Sequence, residues 1–408
     1  MSETFRPESD AQAAEAVAWA VNENAPLEIT GRGSKRGLGR PVQTSRALDT
    51  AALTGITLYE PEELVMTARA GTPMAEIKAL LTEKDQYLAF EPADLGPLLG
   101  GDPDGDSIGG VLAANISGPR RIKAGAARDY FLGLTAISGR GEIFKTGGRV
   151  VKNVTGYDIC KLMAGSYGTL AVMTEVTIKV LPAPEKTRTV LLLDLDDATA
   201  ITAMARALNS AHEVSGAAHL PADLAARSAV SYVAQAGGAV TALRVEGPGP
   251  SVEYRCRALR DALKDLGPTE ELHSRNAALF WRELTDIRPL ARNTADAVWR
   301  ISVPPRDGAA LTAKATDGIA GCDYYYDWGG GLVWLAVPPD KGASHAAIRA
   351  AVAEVGGHAT LIRAEEAVRA AVPVFEPQDP AKAALSRRIK EGFDPRRILN
   401  PGRMYAGV

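Results

Sequence analysis

Cysteine is scarce in this chain: Cys160, Cys256 and Cys322 are the three present, far apart and in no metal-ligand spacing. Three thiols cannot supply the four ligands of an all-cysteine iron–sulfur cluster, so any such cluster must belong to another chain. The odd number, and the absence of a secretion signal in MSETFRPESD, predict reduced, buried thiols in a cytoplasmic protein. No apolar run reaches the roughly 18 residues that a membrane span needs. Charge of one sign is missing too. The 46 Lys and Arg mix with 49 Asp and Glu to a formal charge of −3, which leaves no electrostatic footprint for nucleic acid. The tightest basic cluster, Arg120, Arg121 and Lys123, reads as a solvated loop. The histidines, His212, His219, His273, His345 and His358, form no close pair of ligands, so no metal site is expected.

What is present is a chain of 408 residues, 46% apolar, long enough for two or three cored domains. Ser9 and Gln12 have capping-box spacing, and Ala13, Ala16, Val17, Ala20 and Val21 share one helical face, predicting a helix from about Asp10 to Asn22. Strands are expected at Leu27 to Thr30 and Leu64 to Ala70. Thr72 and Pro73 signal the start of a helix that turns Ile77, Leu80 and Leu81 inward. Phe90 to Gly105, dense in Pro, Gly and Asp, reads as an extended loop, and Ser107 as a helix N-cap. A hairpin around Gly139 and Gly141 and a strand from Leu170 to Val180 follow. The prolines of LPAP, Leu181 to Pro184, mark a domain boundary. Beyond it, strands and helices alternate to about Arg363, with Arg300 to Val303 and Gly331 to Val337 the clearest strands. The pattern predicts an α+β domain with an antiparallel sheet.

Three glycine-bearing stretches stand out: GRGSKRGLG (Gly31 to Gly39), DSIGGVLAANISG (Asp106 to Gly118) and NVTGYDICKLMAGSYGTLAVMTEVTI (Asn153 to Ile178). Glycine lets backbone approach a ligand closely and leaves N–H groups free to face phosphate oxygens, so the three together suggest a nucleotide cradle built from distant segments. A capped helix start and a glycine-rich loop both offer such donors to an anion. GRGSKRGLG is neither a Rossmann fingerprint, lacking the third glycine and a following amphipathic helix, nor a Walker A motif, lacking glycine followed by Lys and Ser or Thr.

Together these motifs resemble the flavoprotein family of vanillyl-alcohol oxidase and p-cresol methylhydroxylase (PCMH), in which a discontinuous site binds FAD. GRGSKRG matches the family's pyrophosphate loop, FEPAD the proline-containing loop, SIGGVLAANISG the flavin-contacting segment and GYDICKLMAGSYGTLAVMTEVTI the closing strand. The terminal FDPRRILNPGRM also matches. Within the family the likeness is to the smaller FAD-binding subunits of bacterial glycolate oxidases. The resemblance implies a PCMH-type FAD-binding domain over 1–184, an α+β domain over 185–363 and a tail, 364–408, packing back on the first domain. It puts backbone groups of Gly31, Arg32, Gly33, Ser34 and Lys35 on the FAD diphosphate. Pro92, Ser107, Gly109 and Gly110 would line the flavin and ribityl region, with Asn115, Ser117 and Gly118 beside them. Gly168, Thr169 and Val172 would close over the adenine.

Departures from the family pattern shape the rest. No histidine lies in the pyrophosphate loop, which implies non-covalent FAD. Tyr167 and Ala171 stand in GSYGTLA where relatives commonly have GSEGTLG. Oxidising a 2-hydroxy acid needs a base for the hydroxyl proton and a cation for the carboxylate. The HxGDGNxH motif of related 2-hydroxy-acid dehydrogenases is missing, and no catalytic side chain is assigned. Tyr324 to Trp328 reads as an aromatic substrate cage, a partner surface or equally a half-buried strand, and Arg288 and Arg300 as structural ion-pair partners or a carboxylate clamp. The resemblance implies a subunit of a multi-chain glycolate oxidase, partnered by a homologous catalytic flavoprotein and an iron–sulfur subunit, and reaching the membrane only through them. A free-standing FAD-dependent dehydrogenase and a non-catalytic assembly protein of the same fold are the alternatives.

Overall fold

Helix α1, Asp10–Asn22, shows how local signals set the first elements. Ser9 Oγ accepts from the Gln12 N–H at 3.2 Å, the first half of a capping box; the Gln12 side chain reaches one residue too far back, accepting from the Glu8 N–H at 2.7 Å. The apolar face of α1, Ala13, Val17 and Ala20, packs on Leu27, Leu48, Ile137, Val172, Ile398 and Leu399. Each fully buried Val, Leu or Ile side chain of this cluster contributes about 1.5–3 kcal/mol.

The chain is described by a computed structural model over residues 3–149 and 156–408. Asn153 to Thr155, which open the third glycine-bearing stretch, lie outside the described residues. Two units are distinguished: Met1–Ile116 with Ala126–Ala183 and Pro377–Val408, and Ser117–Gly125 with Pro184–Glu376. Residues 364–376 thus group with the second unit, and the tail that joins the first begins at Pro377.

In the first unit, β1 (Glu3–Phe5), β2 (Glu28–Thr30) and β3 (Arg46–Asp49) form a parallel sheet with β3 central. A second, antiparallel sheet has the order β4-β5-β9-β7-β8, from β4 (Ile56–Glu60), β5 (Val65–Arg69), β7 (Phe131–Ser138), β8 (Ile143–Gly147) and β9 (Ala171–Lys179). Two-residue strands β6 (Gln86–Tyr87) and β10 (Leu181–Pro182) pair separately. The hairpin around Gly139 and Gly141 and the strand before LPAP form where expected. Helix α2, Met74–Thr82, has Pro73 rather than Thr72 at its cap position, because the Thr72 hydroxyl is turned to the carbonyls of Arg69 and Gly55. Met74, Ile77 and Leu81 are buried and Leu80 only half so. Between Phe90 and Gly105 there is no regular element.

The tail joins this unit through a fully buried pair. Lys390, on the helix Pro380–Phe393, meets Asp394 at 2.8 Å and donates to the carbonyls of Thr169 (2.6 Å) and Leu399 (2.8 Å). Asp394 in turn accepts from the N–H groups of Ile398 and Leu399, so the lone pairs and protons of the pair are satisfied, as burial of two charges requires.

The second unit holds one eight-stranded antiparallel sheet, ordered β14-β11-β13-β12-β16-β17-β15-β18. Its strands are β11 (Lys186–Leu193), β12 (Gly216–Leu220), β13 (Val240–Gly247), β14 (Thr269–Leu272), β15 (Ala297–Ser302), β16 (Asp323–Asp327), β17 (Leu332–Val337) and β18 (His358–Arg363). Strand β17 is buried along its whole length, which explains its unbroken apolar run. Tyr325 and Tyr326 are fully buried and only Tyr324 half so; the hydroxyls of Tyr324 and Tyr326 both donate to Asp197.

Two expectations are corrected here. Cys160 and Cys256 are buried free thiols, but Cys322 is only half-buried. The 117–125 segment is not a solvated loop. Arg120 is buried and forks onto Glu246 through Nε (3.0 Å) and Nη2 (2.5 Å), while Arg121 lies on the Trp328 ring. Burial alone would raise the Glu246 pKa. The charge of Arg244, then the hydrogen bonds and charge of Arg120, win and hold it down at about 2.

Candidate cofactor cradle

The first unit contains an open cavity at its glycine-rich loop. Four chain segments line it: the loop after β2, the start of α3 (Ile108–Ala114), the turn before β9 and the C-terminal tail.

The loop begins at Gly31, where a Cβ would stand 2.5 Å from Ser107 Oγ; glycine allows the loop to seat against the head of α3. Gly33 follows with φ +83°. The backbone N–H groups of Arg32, Gly33, Ser34 and Lys35 donate to no other group among the described residues. Successive unused N–H groups lining a concavity are what an anion such as a diphosphate recognises. Lys35 adds a cation: its Nζ lies 2.5 Å from Asp106 Oδ1, which also accepts from Ser34 Oγ at 2.5 Å. Burial lowers the Lys35 pKa, against the charge of Asp106.

Helix α3 behaves differently from expectation. Its first donors are already used: the Ile108 N–H by the Thr72 carbonyl, the Gly109 N–H by the Ala70 carbonyl and the Gly110 N–H by the Ser107 hydroxyl. It therefore supplies surface rather than free N–H groups, and the loop is the element whose N–H groups are unused among the described residues. The two glycines also differ. A Cβ on Gly109 would lie 2.8 Å from the Ala70 carbonyl oxygen, so that glycine serves packing on the end of β5. A Cβ on Gly110 would meet only Ser107 Oγ at 3.3 Å and Lys35 Cδ at 3.9 Å, and this position opens on the cavity.

On the far side, Tyr167 (φ +55°) and Gly168 (φ +70°) form the turn into β9. The tail completes the wall: Arg403, buried, donates from Nη2 to the Lys35 carbonyl at 2.9 Å, and its own carbonyl accepts from the Arg40 N–H.

Of the residues expected from sequence, Gly31, Arg32, Gly33, Ser34, Lys35, Ser107, Gly109, Gly110 and Gly168 line this cavity. Others do not. Pro92 is buried in the loop before α3. Asn115 ends α3 at φ +50° and accepts from the Arg128 N–H. Thr169 bonds the Ser166 carbonyl, and Val172 belongs to the α1 core. Ser117 and Gly118 group with the second unit, where the Gly118 carbonyl accepts from the Trp328 indole N–H at 3.2 Å. Sequence reasoning missed Thr30, Thr50, Ala70, Met173 and Arg403. Met173 and Arg403 lay in matched motifs, and nothing local gave either a role.

Elsewhere the chemistry is quieter. Burial pushes the thiols of Cys160 and Cys256 up to about 12, away from thiolate reactivity. His219 is fully buried between Thr241 Oγ1 (2.8 Å) and Asp197 (3.3 Å). Desolvation and the charge of Arg300 lower the His358 pKa. Among the described residues no group of His, Cys, Asp and Glu is placed to hold a metal, and no helix is long and apolar enough to cross a membrane.

Residues 2–147 match a family model described as an FAD binding domain. Over 96% of both chains, the sequence is 34% identical to "Glycolate oxidase subunit GlcE" of Escherichia coli (strain K12). It is 28% identical to "Glycolate oxidase subunit GlcD" of Bacillus subtilis (strain 168), covering 85% of this chain and 76% of that one. Among solved structures, p-cresol methylhydroxylase with substrate bound superposes with a TM-score of 0.71 at 15% identity, over 99% of this chain and 88% of the other. A 4-ethylphenol oxidase from Gulosibacter chungangensis does so at 0.75, also at 15% identity, over 99% and 89%.

Proposed function

We propose, since the chain belongs to the flavoprotein family of the glycolate oxidase FAD-binding subunit, built on the FAD-binding domain of the p-cresol methylhydroxylase type, that it works inside a multi-subunit 2-hydroxy-acid oxidase. It is an FAD-linked oxidoreductase subunit, and FAD is its cofactor. Its partners in this reading are a homologous catalytic flavoprotein and an iron–sulfur subunit, glycolate is the substrate of the assembly, and any membrane association is through those partners.

The observation that carries the reading is the arc of N–H groups from Arg32 to Lys35, unused among the described residues, at the wall of the cavity. In this reading that arc takes the FAD diphosphate, with Lys35 supplying positive charge and Asp106 holding the ammonium in place. Gly110 leaves room for the cofactor, and Tyr167 and Gly168 close the opposite side. Bound FAD supplies a two-electron acceptor for a hydride. The first unit is the cofactor domain in this account and the second a substrate-type or docking domain.

Anaerobic addition of glycolate and of D-lactate to the purified chain, followed in the flavin band at about 450 nm, tests the assignment. Bleaching by dithionite but by neither substrate is the expected result and fits an accessory subunit. Bleaching by either substrate overturns it in favour of a free-standing dehydrogenase. A chain that neither carries nor takes up FAD overturns the cradle itself.

A further inference from the structure

The second unit carries a cationic cluster to which the cofactor cradle gives no role. Trp328 turns the chain from β16 towards β17 at φ +53°, followed by Gly329 at φ +68° and Gly330 at φ +97°. Glycine adopts such angles without strain; a bulky residue does not, so an indole at the head of this turn implies a task for its side chain. The ring is fixed at both ends of the residue. Its Nε1–H donates to the Gly118 carbonyl, and the Trp328 backbone N–H donates to Asp327 Oδ1 at 2.7 Å.

Two guanidinium groups from different segments converge on that ring. Arg121, from the 117–125 segment, lies 4.9 Å from its centroid, and Arg300, from β15, lies 5.0 Å away. The neighbouring Arg120 turns instead to Glu246. His358 lies within the field of both Arg300 and Arg121. Arg121, Trp328 and Arg300 are partly exposed and His358 is exposed in this unit, so small solutes reach them.

A guanidinium held against an aromatic ring keeps a rigid fork of N–H donors matched to a carboxylate. We propose that Arg121 and Arg300, on the Trp328 platform, bind the carboxylate of a small 2-hydroxy acid. The carboxylate follows from the geometry; the hydroxy-acid class rests on the functional reading above.

The platform is also the reporter. Sodium glycolate titrated into the full-length chain at constant ionic strength should change tryptophan fluorescence saturably, and Trp328→Phe should abolish the change while calorimetry still detects heat of binding. Arg300→Gln and Arg121→Gln should each weaken binding about tenfold or more, as loss of a charge-assisted contact requires, with the flavin spectrum unchanged. Absence of saturable binding to a chain that retains FAD overturns this site and leaves the cofactor assignment standing; loss of FAD as well is a failure of that assignment. Unchanged affinity in both arginine variants, or competition by inorganic phosphate as strong as that by glycolate, overturns the carboxylate site.

Discussion

Asn400 ties Tyr167 to the first strand of the cradle: its Nδ2 donates to the Tyr167 carbonyl at 2.7 Å while its Oδ1 accepts from the Ile29 N–H at 2.8 Å. One amide thus joins two of the walls, and a Cβ on the intervening Gly168 would stand 2.8 Å from that same Nδ2. Asn400→Ala leaves a backbone donor and acceptor without their partner, at about 1–3 kcal/mol each. The expected outcome is FAD affinity weakened about tenfold or more together with a lower melting temperature. FAD fluorescence released on dilution measures the first and thermal unfolding of the apoprotein the second; an unchanged affinity would remove Asn400 from the cofactor site.

Gly110→Trp should abolish FAD binding in a chain that still folds. A Cβ there meets only the Ser107 hydroxyl closely, at 3.3 Å, and the residue lines the cavity, so the indole takes the space the cofactor needs. Circular dichroism of the apoprotein and the absorbance of the purified variant read the two halves of this expectation. Full flavin occupancy would relocate the site.

Glu246 gives the second unit an acid limit. Its pKa is held at about 2, below the ordinary carboxylate range, so the native state favours the ionised form. That stabilisation, about 3 kcal/mol, is complete above the unfolded pKa of about 4.5 and disappears as the pH falls towards 2. Glu246→Gln strands Arg120 and Arg244 at neutral pH and should cost about 3–5 kcal/mol. The gap in melting temperature between wild type and variant should narrow steadily below pH 4.5. A constant gap would place the ion pair outside the acid response.

Much of this was legible in the residues. Ser9 and the apolar spacing behind it give α1, the glycines of GRGSKRGLG give the loop, and Ser107 gives the start of α3, because each signal acts over a few neighbouring positions. What escaped depends on distant partners. Thr50, whose hydroxyl donates to the Thr30 carbonyl, and Ala70, whose carbonyl occupies the Gly109 N–H, lie in no motif and reach the cavity only through the fold. The basic run at Arg120 looked like a surface loop because Glu246 and Trp328, which hold it, lie far along the chain. Free donors are expected of both the loop and the head of α3, and only the second expectation fails, because Thr72 and Ala70, distant in sequence, satisfy the N–H groups of Ile108 and Gly109.

The tail's place in the cradle also fixes when the cradle can exist. Synthesis proceeds from the N-terminus, so the loop at Gly31, the head of α3 and the turn at Gly168 have all been made long before Asn400 and Arg403 emerge. Until then, the wall that Asn400 and Arg403 build is absent and the Lys390–Asp394 pair has not formed. With FAD seated in this cradle, as proposed above, cofactor loading is an event at the end of translation or after it, and a ribosome stalled short of residue 400 is expected to hold a chain whose earlier segments are complete but which retains no flavin.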